Sequence, residues 1–202
     1  MPERDPAPGS ELTDALWREI RARHPRFREA VAADARVTAR YRGERHEFRS
    51  RLDLALQALR LAWSTDAFLA QALYRAKARL QALGVPLLPR LAHKLAMATA
   101  QVSIGDPVVM QPGVYIVHGQ VVLDGMVEIG PGVAIFPWVT IGLRAGHYRG
   151  ATVEANASIG TGAKVIGEVT IGAGAQVGAN AVVVRDVSPG ATVVGAPARP
   201  VG

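Results

Sequence analysis

Leu52, Leu56, Leu59 and Trp63 fall at i, i+4, i+7 and i+11. That spacing puts all four on one face of a helix and predicts a helix-packing stripe. Ser64-Thr65-Asp66 follows, with N-cap chemistry for a new helix whose apolar stripe is Leu69, Leu73, Ala76, Leu80 and Leu83. Gly84 followed by Pro86 is a stop signal. Pro89 suits the first turn of a further helix running to about Ala100. Upstream, Glu11 to about Tyr41 reads as helix interrupted at Pro25.

Past residue 100 the pattern changes. Val153, Ile159, Val165, Ile171, Val177 and Val183 recur every six residues. Four residues after each comes Ala157, Ala163, Val169, Ala175, Ala181 or Val187. The same period returns upstream at Val102, Val108 and Val114, and at Val121, Val127, Val133 and Val139. A helix has no period of six and a plain strand has a period of two. A β-branched anchor, a small residue and intervening Gly or Asn suit a short strand closed by a tight corner. Three such units make a triangular coil, and stacked coils bury a continuous apolar column. Only three of the 21 glycines, Gly9, Gly43 and Gly84, precede residue 101. The expected organisation is therefore a charged, proline-rich disordered N-terminus (1–10), a helical domain (11–100) and a β-solenoid (101–202).

Composition narrows the chemistry. The 202 residues include no cysteine, which excludes thiol catalysis, disulfides and cysteine-bound zinc. The net charge of +6 sits in the first half, where 18 Lys/Arg face 11 Asp/Glu. Those charges are interspersed, as on solvated helix faces, and no nucleic-acid partner is expected. The N-terminus lacks the apolar core of a signal peptide. The apolar stretch Val127–Leu143 contains Glu128, Pro131, Gly132 and Pro137 and obeys the six-residue period. No membrane partner and a cytoplasmic location are expected.

His118 is the candidate for base catalysis. It falls four residues after Val114, in the slot where other repeats carry Ala or Val, and Gly119 follows it. An imidazole titrates near neutral pH and is expected to project from a corner.

Several segments resemble the serine acetyltransferase family of hexapeptide-repeat acyltransferases. Phe68-Leu69-Ala70-Gln71-Ala72-Leu73-Tyr74-Arg75 resembles the last long helix before the repeats, and Val114-Tyr115-Ile116-Val117-His118-Gly119 the histidine coil. Val139-Thr140-Ile141-Gly142 resembles the strand before an extended loop. Residues 159–167 and Val194-Gly195-Ala196-Pro197-Ala198-Arg199 resemble the coenzyme-binding coils and C-terminal signature. The resemblance implies an α+β fold: an N-terminal α-helical oligomerisation domain, then a left-handed parallel β-helix. It further implies a homotrimer or a dimer of trimers with active sites between neighbouring β-helices. The implied activity, a step of cysteine biosynthesis, is transfer of acetyl from acetyl-CoA to the hydroxyl of L-serine, with His118 as general base and no metal. Coenzyme contacts are expected from Gly142, Gly160, Thr161, Ala179, Lys164 and Arg199.

The acceptor side departs from the family pattern. Val117 stands where the family has an Asp, and Ser103 where a second Asp orients the histidine; Asp106 is off register. Arg149-Gly150 aligns with an Arg-His pair that contacts serine, leaving Arg149 and the nearby His147 as candidate acceptor ligands. These departures keep open a different hydroxyl or amine acceptor, or a non-catalytic trimeric paralogue. A zinc-dependent β-helix enzyme would need three histidines, and residues 101–202 hold only His118 and His147. The family's partner-binding tail has no counterpart in Pro200-Val201-Gly202, so no complex with the next enzyme of the pathway is expected.

Overall fold

The computed structural model describes residues 14–201, so the segment expected to be disordered, 1–10, lies outside the described residues. The helical half contains α1 (Asp14–Arg23), α2 (Phe27–Tyr41), α3 (Arg51–Ser64), α4 (Asp66–Ala82) and α5 (Leu88–Ala100). The Pro25 break separates α1 from α2. Ser50 caps α3 by accepting the Asp53 amide at 3.1 Å. Thr65 precedes α4, but its hydroxyl turns back to the Leu61 carbonyl at 2.6 Å instead of capping. Gly84 lies in the left-handed region just past α4, and Pro89 sits in the first turn of α5.

Two expected stripes are reassigned. Leu52, Leu56, Leu59 and Trp63 are on the surface, Trp63 at 93% exposure. The face of α3 that packs carries Leu61 with Leu54, Ala58 and Ala62, against Ala35, Ala39 and Phe68. Spacing identifies a helix face but not which neighbour covers it. On α4 the leucines are half-buried or exposed, while Ala67, Phe68, Ala70, Gln71, Tyr74, Arg75, Lys77 and Ala78 are buried.

The polar members of that face answer a specific need. The first coil of a β-solenoid has an open edge whose carbonyls lack a neighbouring strand. Gln71 Nε2 donates to the Val114 carbonyl at 2.9 Å, and the Tyr74 hydroxyl donates to Val108 at 2.7 Å. Arg75 donates to the Met110 and Gln111 carbonyls, and Lys77 to Ile104 at 2.6 Å. Arg75 also pairs with buried Asp34 at 2.9 Å, whose carboxylate accepts the Gly113 amide. Burial pushes the Asp34 carboxyl up against the pull of Arg75. His24 stands against Tyr74, and burial, then the charges of Arg75 and Lys77, lower it to about 4. Helix α4 thus closes the solenoid with hydrogen bonds where a strand would otherwise be needed.

The solenoid has three faces. Face A stacks Val102–Ile104, Val121–Leu123, Thr140–Gly142, Lys164–Ile166 and Val182–Val183. Face B stacks Val109–Met110, Met126–Ile129, Arg149–Val153 and Thr170–Ile171. Face C stacks Tyr115–Ile116, Ala134–Ile135, Ser158–Ile159, Gln176–Val177 and Thr192–Val194, with Arg199–Pro200 closing it antiparallel. All other pairings are parallel. Val122 pairs with Thr140 and Lys164 with Val182, a step of 18 residues, or three six-residue units.

Each unit turns two side chains inward. Ala157 and Ile159, Ala163 and Val165, and Val169 and Ile171 are all buried. Fully burying each large aliphatic is worth roughly 1.5–3 kcal/mol. The upstream valines keep the period but occupy the other inward slot. Val121, Val127, Val133 and Val139 align with the small residues, and the larger anchors are Leu123, Ile129, Ile135 and Ile141.

Candidate functional site

Three irregularities interrupt the 18-residue step: the last coil is two residues short, where Gln176 pairs with Thr192, and the other two carry candidate chemistry. The first of those two is one extra residue. Val102 pairs with Val121, Val109 with Glu128 and Tyr115 with Ala134, each a step of 19, before the step returns to 18 at Val122. The insertion therefore lies between Ile116 and Val122, in the corner from face C to face A that carries His118. It corrects the repeat slot expected for the histidine, but not its projection from a corner. Val121 takes the inward slot, and His118 stays exposed on the corner.

This corner rests on the end of α5. The Gln120 amide donates to the Ala100 carbonyl at 3.0 Å, satisfying a helix-terminal group. A Cβ built on Gly119 would lie 1.8 Å from that same carbonyl. Glycine at 119 is thus what allows the corner to dock. Ser103 lies on face A beside Val122 and opens into a cleft of about 810 Å³ with Lys77, Arg90, His93, Asp106 and Asp124. No side-chain hydrogen bond joins Ser103 to His118 among the described residues. Asp106 pairs with Lys77 at 2.9 Å. Burial raises the Asp106 carboxyl, but Lys77 outweighs it and holds the group below its usual range.

The second irregularity is an extra six-residue unit. Thr140 pairs with Lys164, a step of 24, and residues 143–148 form a loop at the corner from face A to face B. His147 is exposed on this loop. Arg149 opens the next strand, exposed and 3.8 Å from Glu168. Gly150 lies inside that strand, where a Cβ would meet Val127 Cγ2 at 2.5 Å. Any side chain at 150 would have to displace the Val127 side chain. Gly142 ends the strand that enters this loop.

The remaining candidates divide between the corners. Gly160, Thr161 and Ala179 lie on the C-to-A corners two and three coils beyond His118, in one column with it. Lys164 follows that column, its ammonium 2.5 Å from the Trp138 carbonyl. Arg199 is exposed on the closing antiparallel strand. Within one chain, then, His118, Gly160, Thr161 and Ala179 share one edge, whereas Gly142, His147 and Arg149 share another across face A. No group of three His, Cys, Asp or Glu side chains placed to hold a metal occurs among the described residues. No helix among them is long and apolar enough to cross a membrane.

Sequence reasoning missed two features. One is the polar cap on α4, whose signal was Gln71, Tyr74, Arg75 and Lys77 at helical spacing. The other is Trp138, on the corner next to that of His118, with a left-handed φ of 66°.

A parallel solenoid of 18-residue coils, capped by helices and bearing an exposed corner histidine, defines a hexapeptide-repeat β-helix protein. No protein-family model matches the chain. Among curated proteins, the chain is 37% identical over 122 residues to a serine acetyltransferase of Mycobacterium tuberculosis, an alignment covering 59% of this chain and 53% of that one. The chain spans about half the length of the first curated relatives it matches. Among solved structures, it superposes on the soybean serine acetyltransferase apoenzyme with a TM-score of 0.72 and 30% identity, covering 89% of this chain and 71% of that one. It also matches a serine acetyltransferase in complex with CoA, at a TM-score of 0.70 and 25% identity, with 91% and 73% covered. The chain belongs to the serine acetyltransferase family.

Proposed function

We propose that this chain is a CoA-dependent O-acetyltransferase that moves acetyl from acetyl-CoA to the hydroxyl of L-serine, with no metal in the reaction and a location in the cytoplasm. The observation that carries the reading is the docked His118 corner, in one column with the small corners Gly160-Thr161-Gly162 and Gly178-Ala179-Asn180. The CoA complex of a related structure supports the donor. In this mechanism the His118 imidazole takes the serine hydroxyl proton as the oxygen attacks the thioester carbonyl. The tetrahedral oxyanion collapses, the C–S bond breaks, and the CoA thiolate leaves with the proton held by the imidazolium. Half-buried Gly160 and exposed Thr161 and Ala179 contact the coenzyme arm, with Arg199 toward its phosphates, whereas Lys164 holds the Trp138 carbonyl nearer the thioester end. Ser103 and Arg149, with His147 behind it, orient the acceptor.

Because His118 and Arg149 occupy different edges of one chain, the working site joins two chains. The C-to-A edge of one faces the A-to-B edge of the next, as a closed trimer provides. The exposed stripe of α3 serves assembly through the helical domain. Coexpression tests the shared site. His118→Ala and Arg149→Ala chains, each strongly impaired alone, recover activity together, in about a quarter of sites by random assortment. Coexpressed chains no better than the single variants contradict it.

A second reading keeps donor and base but changes the acceptor. It is favoured by Val117 and Ser103, which leave no carboxylate on the strand before His118 or beside it on face A.

A further inference from the structure

The C-to-A corners carry one left-handed residue per coil: Gln120, Trp138, Gly162 and Asn180. Glycine and asparagine are the ordinary occupants of that region, and a bulky aromatic is an outlier. Trp138 is also 57% exposed. It closes the segment Phe136-Pro137-Trp138, an apolar corner in a column that elsewhere reads Gly160-Thr161-Gly162 and Gly178-Ala179-Asn180. Strain and exposed apolar surface at one residue point to a function.

Register gives that function its place. Ile116 pairs with Ile135, and Val122 with Thr140. The Trp138 corner therefore stacks directly under the His118 corner, about 5 Å away. The next corner down holds Gly160 and Thr161. Anything that runs along this edge from Thr161 to His118 crosses Trp138. The corner is also held firmly. The Gly162 amide donates to the Pro137 carbonyl at 2.8 Å, and Lys164 donates to the Trp138 carbonyl at 2.5 Å. Neither bond uses the indole, so its ring is free to serve as a preorganised wall.

We propose that Trp138 binds the pantetheine arm of the acyl donor, packing its indole against the arm just short of the thioester. The inference rests on the acetyl-CoA reading above. It is tested by binding, so that its failure differs from a failure of acetyl transfer. The variants are Trp138→Asn and Trp138→Gly, which install the residues that the same corner position uses at 180 and 162. Both fit the left-handed backbone and are expected to melt at or above the wild-type temperature.

Calorimetry on the full chain compares CoA with adenosine 3′,5′-bisphosphate, which lacks the arm. Both variants are expected to bind CoA about ten-fold more weakly and to bind the bisphosphate as wild type does. Trp138→Phe is expected to recover most of the CoA affinity. In a Trp17→Phe/Trp63→Phe background whose oligomer mass by light scattering matches wild type, CoA shifts the remaining tryptophan emission and the bisphosphate does not. Four outcomes overturn the proposal: unchanged CoA affinity; equal loss for both ligands; an emission shift with L-serine but not with CoA; or variants that lose oligomer mass by light scattering, which makes Trp138 a contact between copies. A wild-type chain that binds CoA with this signature yet transfers no acetyl to L-serine leaves the arm site standing and refutes the acceptor.

Discussion

Replacing His118 by alanine lowers kcat for acetyl transfer by about 10²–10⁴-fold, the usual contribution of a positioned general base. CoA affinity is expected to stay within about two-fold, because the proposed arm contacts lie on other coils. The melting temperature also stays close to wild type, because the imidazole is exposed and the corner is held by Gln120 on Ala100. Steady-state kinetics with calorimetry separates these quantities. An intact kcat would remove His118 from the chemistry. A matched loss of CoA affinity would make it a binding residue.

The largest expected loss of stability lies at the polar cap. Arg75→Met strips the Met110 and Gln111 carbonyls of their donor and leaves the Asp34 carboxylate buried without its cation. Breaking a buried pair from one side costs about 3–5 kcal/mol. For a chain of this size that lowers Tm by roughly 10–15 °C. Asp34→Ala together with Arg75→Met is expected to lose less than the sum of the single changes, because no lone charge remains. Thermal melts of the three variants check both statements. A Tm within about 2 °C of wild type for Arg75→Met would show that the cap is not what closes the solenoid.

Much of this architecture was legible in the sequence because the solenoid repeats itself. A side chain that must point inward on every coil writes its period into the chain, and the glycine boundary near residue 101 marks where it begins. Phase was harder. Val121 and Val153 both keep the period, yet one fills the small slot and the other the large one. The single inserted residue by His118 shows as a gap of seven between Val114 and Val121. Only the strand register shows that Val121 fills the small slot of the corner that His118 sits on.

The helices were legible as helices but not in their partners. Leu52, Leu56, Leu59 and Trp63 form a faultless stripe that nothing among the described residues covers. The buried face of α4 is polar because it meets carbonyls, and a hydrophobic pattern is blind to that. The site was half legible. His118, Gly160, Thr161 and Ala179 fall on one edge, while Gly142, expected to act with the last three, lies on the other. Arg149 and His147 fall on that other edge too, which linear order does not reveal, and Trp138 carried no motif. The handedness of the solenoid came from the family resemblance, since a six-residue period suits either hand.

Acetyl transfer from acetyl-CoA to L-serine is the proposed reaction. The most direct test is CoA release by the purified wild-type chain with and without L-serine, with the product identified by mass. Release is expected to depend on serine, to saturate with it, and to yield one O-acetylserine per CoA. Release that ignores serine, from a chain that binds acetyl-CoA and assembles, would contradict it.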